Sequence, residues 1–432
     1  MKLSTALHGL ALASVMSPLW CADAPVRWAG LKEVNSPAQP TTDQMLAIVG
    51  ATLIDGRGGL PVKDSVVVIR GAQIVSAGPS STVSVPAGAA EFDATGRYLL
   101  PGYFDSHFHF GSNIGPEWPA MVLAGGVTSF RDPGRPLEVY SFLHETARTM
   151  PRGFLTGNHL DQSPPEYPHN AIVLNTPGEA RSTVNRFVDA GASGIKVYYR
   201  LSLDLIRAAC EAADRREVPV MAHLEVVRAD AAIRAGVDGI EHVSSLTTTL
   251  ASDESAEAYE ELLKSRRANR LRGWYKLWNR FDFAANPRLE PLLELMLAEQ
   301  TYFSPTLVPY EVQPEDRGAT PERVAGFGKM VKFVGIAHRA GVPITVASHG
   351  KPPEAYWREM ELLIEAGLRP MDVIVAATNN GAHFFGAQDR LGTIERGKLA
   401  DLVLLDEDPI EDIRAVRSVD RVMLNGRWIE SQ

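Results

Sequence analysis

Residues 98–110 read YLLPGYFDSHFHF, an apolar run that breaks into a pair of histidines, His107 and His109. On an extended strand, residues two apart share a face, so both imidazoles can point at one metal ion. An H-x-H pair alone is weak evidence of a metal site, and the pattern downstream gives it weight. From VTSFRD (127–132) onward, short apolar runs recur: RGFLTG (152–157), GIKVYY (194–199), PVMAHLE (219–225), GIEHV (239–243), TYFSPTL (301–307) and PITVASH (343–349). Helical patterns fall between them, such as EARSTVNRFVDAG (179–191), LDLIRAACEAADRR (203–216) and ERVAGFGKMVKFVGIAHRAG (322–341). Eight strands alternating with helices over residues 101–385 predict an α/β chain folded as a (β/α)8 TIM barrel. A doubly wound open sheet is the alternative, but it does not explain where the histidines fall.

Outside this region the pattern is β-rich. Residues 45–100 hold LAIVGATLID, DSVVVIRG, AQIVSAG and AEFDATGRYLL, punctuated by Gly and Pro. Residues 386–432 repeat the style in DLVLLDED and DRVMLNGRWIE, so the two chain ends are expected to meet in one small β-sandwich domain. Residues 25–44 read as a linker or extended arm. Residues 1–24, with Lys2, an apolar stretch from Leu3 to Trp20, and Ala22 and Ala24 in A-x-A spacing, read as a signal peptide, which implies a periplasmic or secreted protein. The chain has two cysteines, Cys21 and Cys210; a disulfide framework is excluded, and Cys210 sits in an apolar helical pattern as a core thiol.

The chain has 432 residues, 45% hydrophobic and 22% charged, with a net charge of −9. No basic run points to a nucleic-acid partner, and no apolar stretch after the N-terminus is long enough to span a membrane. A small-molecule substrate is the expected partner, and a homo-oligomer is compatible with the composition. One stretch, 247–300, departs from the strand–helix alternation and contains SRRANRLRGWYKLWNRF (265–281). It comes after the sixth strand, on the face where barrel loops build sites. It reads either as a helix that packs its Trp and Leu on the barrel or as a lid over the mouth.

Further chemistry-bearing residues fall at equivalent strand ends: Lys196 in GIKVYY, His223 in VMAHLE and His242 in GIEHV. Four histidines and a lysine meeting at one rim are hard to explain as packing. With these motifs, together with GVTSFRDPG, RLGTIERGKLADLVLLDEDPIEDI (390–413) and LNGR (424–427), the chain resembles the amidohydrolase superfamily, in its imidazolonepropionase-like and Xaa-Pro dipeptidase-like group, over residues 45–432. The resemblance implies a metal-dependent hydrolase that cleaves an amide or peptide C–N bond of a dipeptide, an N-acyl amino acid or a cyclic amide. It implies two divalent ions, zinc by ligand type. His107 and His109 would hold the more buried ion, and His223 and His242 the second. Lys196, as a carbamate formed with carbon dioxide, would bridge the two.

At one position the chain departs from the pattern. The eighth strand of the family usually ends in an aspartate that ligates metal and takes a proton from the attacking water; here the matching residue is His349. Three readings stay open: His349 is the catalytic base, it is a sixth ligand, or hydrolysis is lost and the protein is a non-hydrolytic metal-binding or sensor protein. A one-metal lyase or decarboxylase is a further alternative. Tyr198, two residues past Lys196, is expected to contact substrate, with Arg200 as a candidate partner for a substrate carboxylate and His159 as a loop residue at the mouth. Asp132, Glu225 and Glu241 are candidates for orienting ligands, and His144, His169, His338 and His383 for structural roles.

Overall fold

A computed structural model of the chain describes residues 28, 30–38, 40, 44–109, 117–144, 149–265 and 267–429. The leader expected over 1–24 lies outside the described residues, as does the side chain of His144.

Strands from both chain ends form one eight-stranded sheet. Its junction is Tyr98–Pro101, which pairs in parallel with the end of Met45–Leu53 and antiparallel with Leu402–Leu405, in the register Leu402↔Pro101. The alternating pattern explains the packing, because successive side chains take opposite faces. Ile48, Val67, Ile69, Leu99, Leu402 and Leu404 build one apolar core. Ala47, Val66 and Val68 lie in another, and Leu100, Val403 and Leu405 join the large core of the rest of the molecule.

The second sheet is parallel and curled. Its strands are β1 (Tyr103–Asp105), β2 (Val127–Gly134), β3 (Arg152–Asp161), β4 (Ile195–Val197), β5 (Val220–Ala222), β6 (Gly239–Glu241) and β7 (Tyr302–Ser304), each paired with the next. Ala171–Val173 adds to β3. The expected eighth strand, PITVASH, carries a single bridge, Ile344 to Phe303. Its backbone nonetheless serves both edges. Thr345 N donates to Phe303 O at 3.0 Å, while Val346 O accepts from Ser106 N at 2.9 Å and His349 N donates to His107 O at 2.8 Å.

Phe104, Phe154, Met221 and Tyr302 come from β1, β3, β5 and β7 and form one buried cluster with Trp28, Phe384 and Phe385. Side chains contributed by alternate strands are how a curled parallel sheet fills its interior. Gly239 is required here, since a Cβ on it would lie 2.3 Å from the Phe384 ring. The helices between strands are α1 (Trp118–Ala124), α2 (Pro177–Asp189), α3 (Leu203–Asp214), α4 (Ala229–Arg234), α5 (Asp253–Ser265), α6 (Arg267–Arg280), α7 (Leu289–Ala298) and α8 (Pro321–Ala340). Helix α2 starts at a capping box of Thr176 and Glu179 with Pro177 in its first turn, and α8 ends at Gly341 with φ of 96°. Cys210, on α3, is buried, as its apolar surroundings predict.

Residues 30–38, expected as linker, are a docked arm. Leu31 N bonds to Gly386 O at 3.1 Å and Val34 N to Gly153 O at 2.9 Å. Glu33 pairs with Arg152 and Arg390, and Arg152 also holds Asp401 at 2.6 Å. One buried guanidinium therefore ties the arm, β3 and the C-terminal strands together. Burial pushes the Glu33 carboxyl up, but Arg152 and Arg390 more than offset this and hold it below its ordinary value. Removing the cation strands the buried Asp401 carboxylate and leaves Glu33 with Arg390 alone. Arg152→Ala should cost about 3–5 kcal/mol of unfolding free energy in a urea titration. A loss below about 1 kcal/mol, the range of an exposed pair, would mean that packing alone holds the arm.

Candidate metal centre

The histidines nominated by the sequence stand together at the carboxyl ends of the strands. His107 and His109 come after β1, His223 after β5 and His242 after β6, and His349 closes the 343–349 segment. Ring centroids lie 4.5 Å apart for His107 and His242, 4.5 Å for His223 and His242, 4.7 Å for His107 and His349, and 5.0 Å for His109 and His349. Ligand atoms of His107, His109 and His349 fall within 4.8 Å of one another, as do those of His107, Glu241 and His242. Three residues at the rim have positive φ: His242 at 64°, Thr306 at 47° and His349 at 43°. Such backbone is costly for non-glycine residues and concentrates at functional sites. At His242 it has a clear use. Adjacent strand residues normally face opposite ways, yet Glu241 and His242 both reach the cluster.

Three of the four strand-end histidines have one ring nitrogen hydrogen-bonded to an outer partner, and the fourth, His107, has a carboxylate close to it. His107 Nδ1 lies 3.2 Å from Glu241 Oε1, and His109 Nδ1 lies 2.9 Å from Asp132 Oδ1. His223 Nε2 is 3.1 Å from Glu225 Oε1, and His242 Nδ1 is 2.7 Å from Thr306 Oγ1. A carboxylate only accepts, so it assigns the proton to the nitrogen facing it and leaves the lone pair on the other. With Asp132 holding its proton on Nδ1, His109 Nε2 offers a lone pair, 2.9 Å from His107 Nε2. Two ring nitrogens at that distance share either a proton or a metal ion. Asp132 is itself held by the Tyr140 hydroxyl. Lys196 Nζ, in β4, contacts Glu241 Oε2, so Glu241 stands between the lysine and His107.

The electrostatics fit ligands that must be deprotonated. Burial, reinforced by the neighbouring imidazoles, holds His107 and His242 well below the ordinary histidine value. Burial, and then His109, lower His349 to about 3. Burial and the Arg131 guanidinium hold the Lys196 amine well below the usual lysine value. The residues present therefore fit a divalent metal: His107, His242 and His349 held below the ordinary histidine value, converging ligand atoms, and carboxylate or hydroxyl groups on the far side of the rings.

Tyr198 and His159 are brought to this cluster. Their rings stack at 4.4 Å, and Tyr198 meets His223 edge-on at 4.8 Å. His159 Nε2 is buried with no hydrogen-bond partner among the described residues. Gly134, with φ of 122°, makes room for the ring, since a Cβ there would sit 2.9 Å from His159 Nδ1. Arg200 is not brought against the histidines. Its guanidinium lies over Tyr199 at 4.8 Å and 3.8 Å from Glu166. His338 pairs with Asp372 at 3.4 Å, on helices remote from the cluster.

Two features are not visible in the sequence pattern. Asp105 Oδ1 accepts from His107 N at 3.2 Å and Ser348 N at 2.9 Å, joining the two segments that carry His107 and His349; burial raises its carboxyl to about 6 despite these bonds. Its one signal is an acidic residue ending an apolar strand, two positions before a histidine. The second feature is what the insertion, itself legible at 247–300, contacts. Helices α5 and α6 send Tyr259 and Trp274 to Glu225, the partner of His223, with Tyr259 Oη at 2.5 Å and Trp274 Nε1 at 3.0 Å from Glu225 Oε2.

Comparison with known proteins agrees with this geometry. The Amidohydrolase family profile matches residues 98–429. An ochratoxinase from Aspergillus niger is 24% identical over 87% of this chain and 84% of its own length. An imidazolonepropionase from Shouchella clausii is 32% identical over 98 residues, so the matched region spans only 22% of that enzyme. Among solved structures, a putative prolidase from Bifidobacterium longum superposes with a TM-score of 0.69 at 26% identity, covering 90% of this chain and 95% of that one. With a strand-end histidine cluster and a family profile that runs from the last strand before β1 almost to the C-terminus, the chain belongs to the amidohydrolase family.

Proposed function

We propose that this chain is a metal-dependent hydrolase that cleaves an amide or peptide C–N bond of a small substrate, and that its curled sheet, joined along 343–349, is a (β/α)8 barrel beside a small sandwich built from both chain ends. The observation that carries the metal reading is the convergence of ligand atoms of His107, His109 and His349, and of His107, Glu241 and His242, with His107 Nε2 and His109 Nε2 2.9 Å apart. His107 and His109 would hold one divalent ion and His223 and His242 a second, with zinc favoured by the donor set. Bound there, the ions would acidify a water and polarise the scissile carbonyl. Lys196 would bridge them as a carbamate. Burial lowers its pKa and so favours the neutral amine, the form that reacts with carbon dioxide, whereas an ammonium has no lone pair to offer a metal.

His349 would take the proton from the attacking water and return it to the leaving nitrogen. It adjoins His107 and His109 and is neutral over the working range. His159 and Tyr198 would bind the substrate at the mouth, and Arg200, which lies against Glu166 and Tyr199, would answer a substrate carboxylate only by leaving Glu166. That arrangement suits a dipeptide or N-acyl amino acid, and relatives named ochratoxinase, N-acyl-D-aspartate deacylase and prolidase support an amide substrate. The leader read over 1–24 makes a periplasmic or secreted enzyme part of the proposal. A non-hydrolytic metal-binding protein is the second reading, favoured by His349 standing where relatives are expected to carry an aspartate.

Metal analysis of the purified protein and turnover on a panel of dipeptides, N-acyl amino acids and cyclic amides test the reading together. Two bound ions with turnover support it, and two ions with no turnover on any amide favour the binding protein. Lys196→Ala should lower bound metal below two per chain, and short carboxylic acids should restore part of the activity; full metal content and full activity in this variant would exclude the bridge. His349→Ala should retain metal and lose roughly 10²–10⁴-fold in kcat if His349 is the base, whereas loss of metal first would make it a ligand.

The pH profile supplies a further check. A base works deprotonated, so its pKa sets the acid limb, with kcat/KM rising as pH rises through it. With His349 lowered to about 3, His349 should contribute no limb to kcat/KM near the ordinary histidine value of about 6.5, so any limb there should persist in His349→Ala. A limb there that disappears in His349→Ala would contradict this.

A further inference from the structure

We infer that the helical insertion of this chain, through Tyr259 and Trp274, is a positioning device for the metal held by His223. The inference rests on the proposed metal centre and adds to it a role for a segment that the (β/α) alternation does not require.

The chain of contacts is short and buried. His223 Nε2 meets Glu225 Oε1 at 3.1 Å; the other oxygen of Glu225 accepts from the Tyr259 hydroxyl at 2.5 Å and the Trp274 indole N–H at 3.0 Å. Glu225 is 1% exposed, Tyr259 2% and Trp274 3%. A buried carboxylate is stable only when its oxygens are hydrogen-bonded. Tyrosine and indole donors stabilise the ionised form without bringing a compensating charge, so the carboxylate keeps its full charge for the imidazole. That charge fixes the proton on His223 Nε2, turns Nδ1 into the nitrogen a metal would use, and raises its basicity.

The donors come from two different helices, Tyr259 from α5 and Trp274 from α6, and the insertion is anchored independently of Glu225. Trp278 Nε1 bonds to Thr247 Oγ1 at 2.8 Å, and the Tyr275 hydroxyl donates to Tyr310 O at 2.9 Å. The ring of Trp274 also packs against Tyr310 at 5.2 Å. The two donors are thus held in place by a scaffold that survives their removal. This is what separates positioning from simple packing: Trp274 and Trp278 are four apart on one helix, both buried, but only Trp274 touches the partner of a candidate ligand.

The experiment measures metal retention, with Tm as the control for folding. The full-length, zinc-loaded protein and its variants Tyr259→Phe, Trp274→Phe, the double variant, Glu225→Gln and Trp278→Phe are challenged with a chelator, and zinc release is monitored with a colorimetric indicator. Wild type should release two ions. In the double variant and in Glu225→Gln, one ion should leave with an affinity reduced about 10–100-fold, the usual effect of losing a ligand's outer partner, while the other is unchanged. Trp278→Phe should lower Tm and leave both release phases as in wild type. The inference is overturned if the Glu225-directed variants lower Tm yet release both ions at wild-type rates, or if Trp278→Phe accelerates release as much as they do. Failure of the underlying metal centre looks different: wild type would then retain no zinc at all.

Discussion

An imidazole has two nitrogens, and the centre depends on what holds the outer one. Asp132, Glu225 and Thr306 each take one nitrogen of a strand-end histidine, and Glu241 lies close to a nitrogen of the fourth, His107. Left unanchored, a histidine would sample rotamers and tautomers, and nothing would turn four lone pairs to one place. The anchors come from elements that the fold brings together: Glu241 from β6 holds a residue after β1, Asp132 from β2 holds its neighbour, and Thr306 lies just past β7. A parallel sheet that curls until its first strand and its last segment share hydrogen bonds is what makes these partners adjacent. Asp105 reinforces that seam by accepting backbone N–H groups from both sides of it.

Much of this is legible in the sequence for a physical reason. Strands of a buried parallel sheet are short apolar runs, and polar residues that break the run at its end stand out, as His107, Lys196, His223 and His242 do. Period-two alternation in the terminal segments likewise points to a sheet made from both chain ends. Less legible are residues whose role depends on a distant partner. Asp105 and Thr306 act through contacts with residues 348 and 242, and no local spacing encodes either. The stretch at 30–38 reads only as a linker or extended arm because its anchors, backbone groups with Arg152 and Arg390, lie far along the chain.

The insertion shows a different limit. Its basic-aromatic pattern fits both an amphipathic helix packed on the body and a lid or specificity loop, and the structure shows the packing together with contacts to Glu225. Trp278 and Tyr275 pack and bond to the body, while Trp274 and Tyr259 reach the carboxylate beside His223. Hydrophobic periodicity reports which face of a helix is buried, and it is silent on which of two buried tryptophans lies next to chemistry. That distinction depends on the four-residue spacing from Trp274 to Trp278, one helical turn, set against where Glu225 stands.

His349 is best understood through charge. Two dications bring four positive charges into a buried space, and such charge must be offset nearby. In the proposed centre the carboxylates of Asp132, Glu225 and Glu241 and a carbamate on Lys196 supply the offset, with every imidazole neutral. An aspartate at position 349 would add a further anion. The neutral imidazole instead leaves the mouth able to accept an anionic group from the substrate beside His159 and Tyr198, while still offering a lone pair for the proton. It offers only one inward nitrogen, so it cannot ligate and accept a proton through separate atoms as a carboxylate does. The backbone at this residue, with φ of 43° and its N–H held by His107 O, fixes where that nitrogen points. If His349 is the base of the proposed centre, it would have to be placed by the chain itself, and the hydrogen-bonded turn with its positive φ would do so.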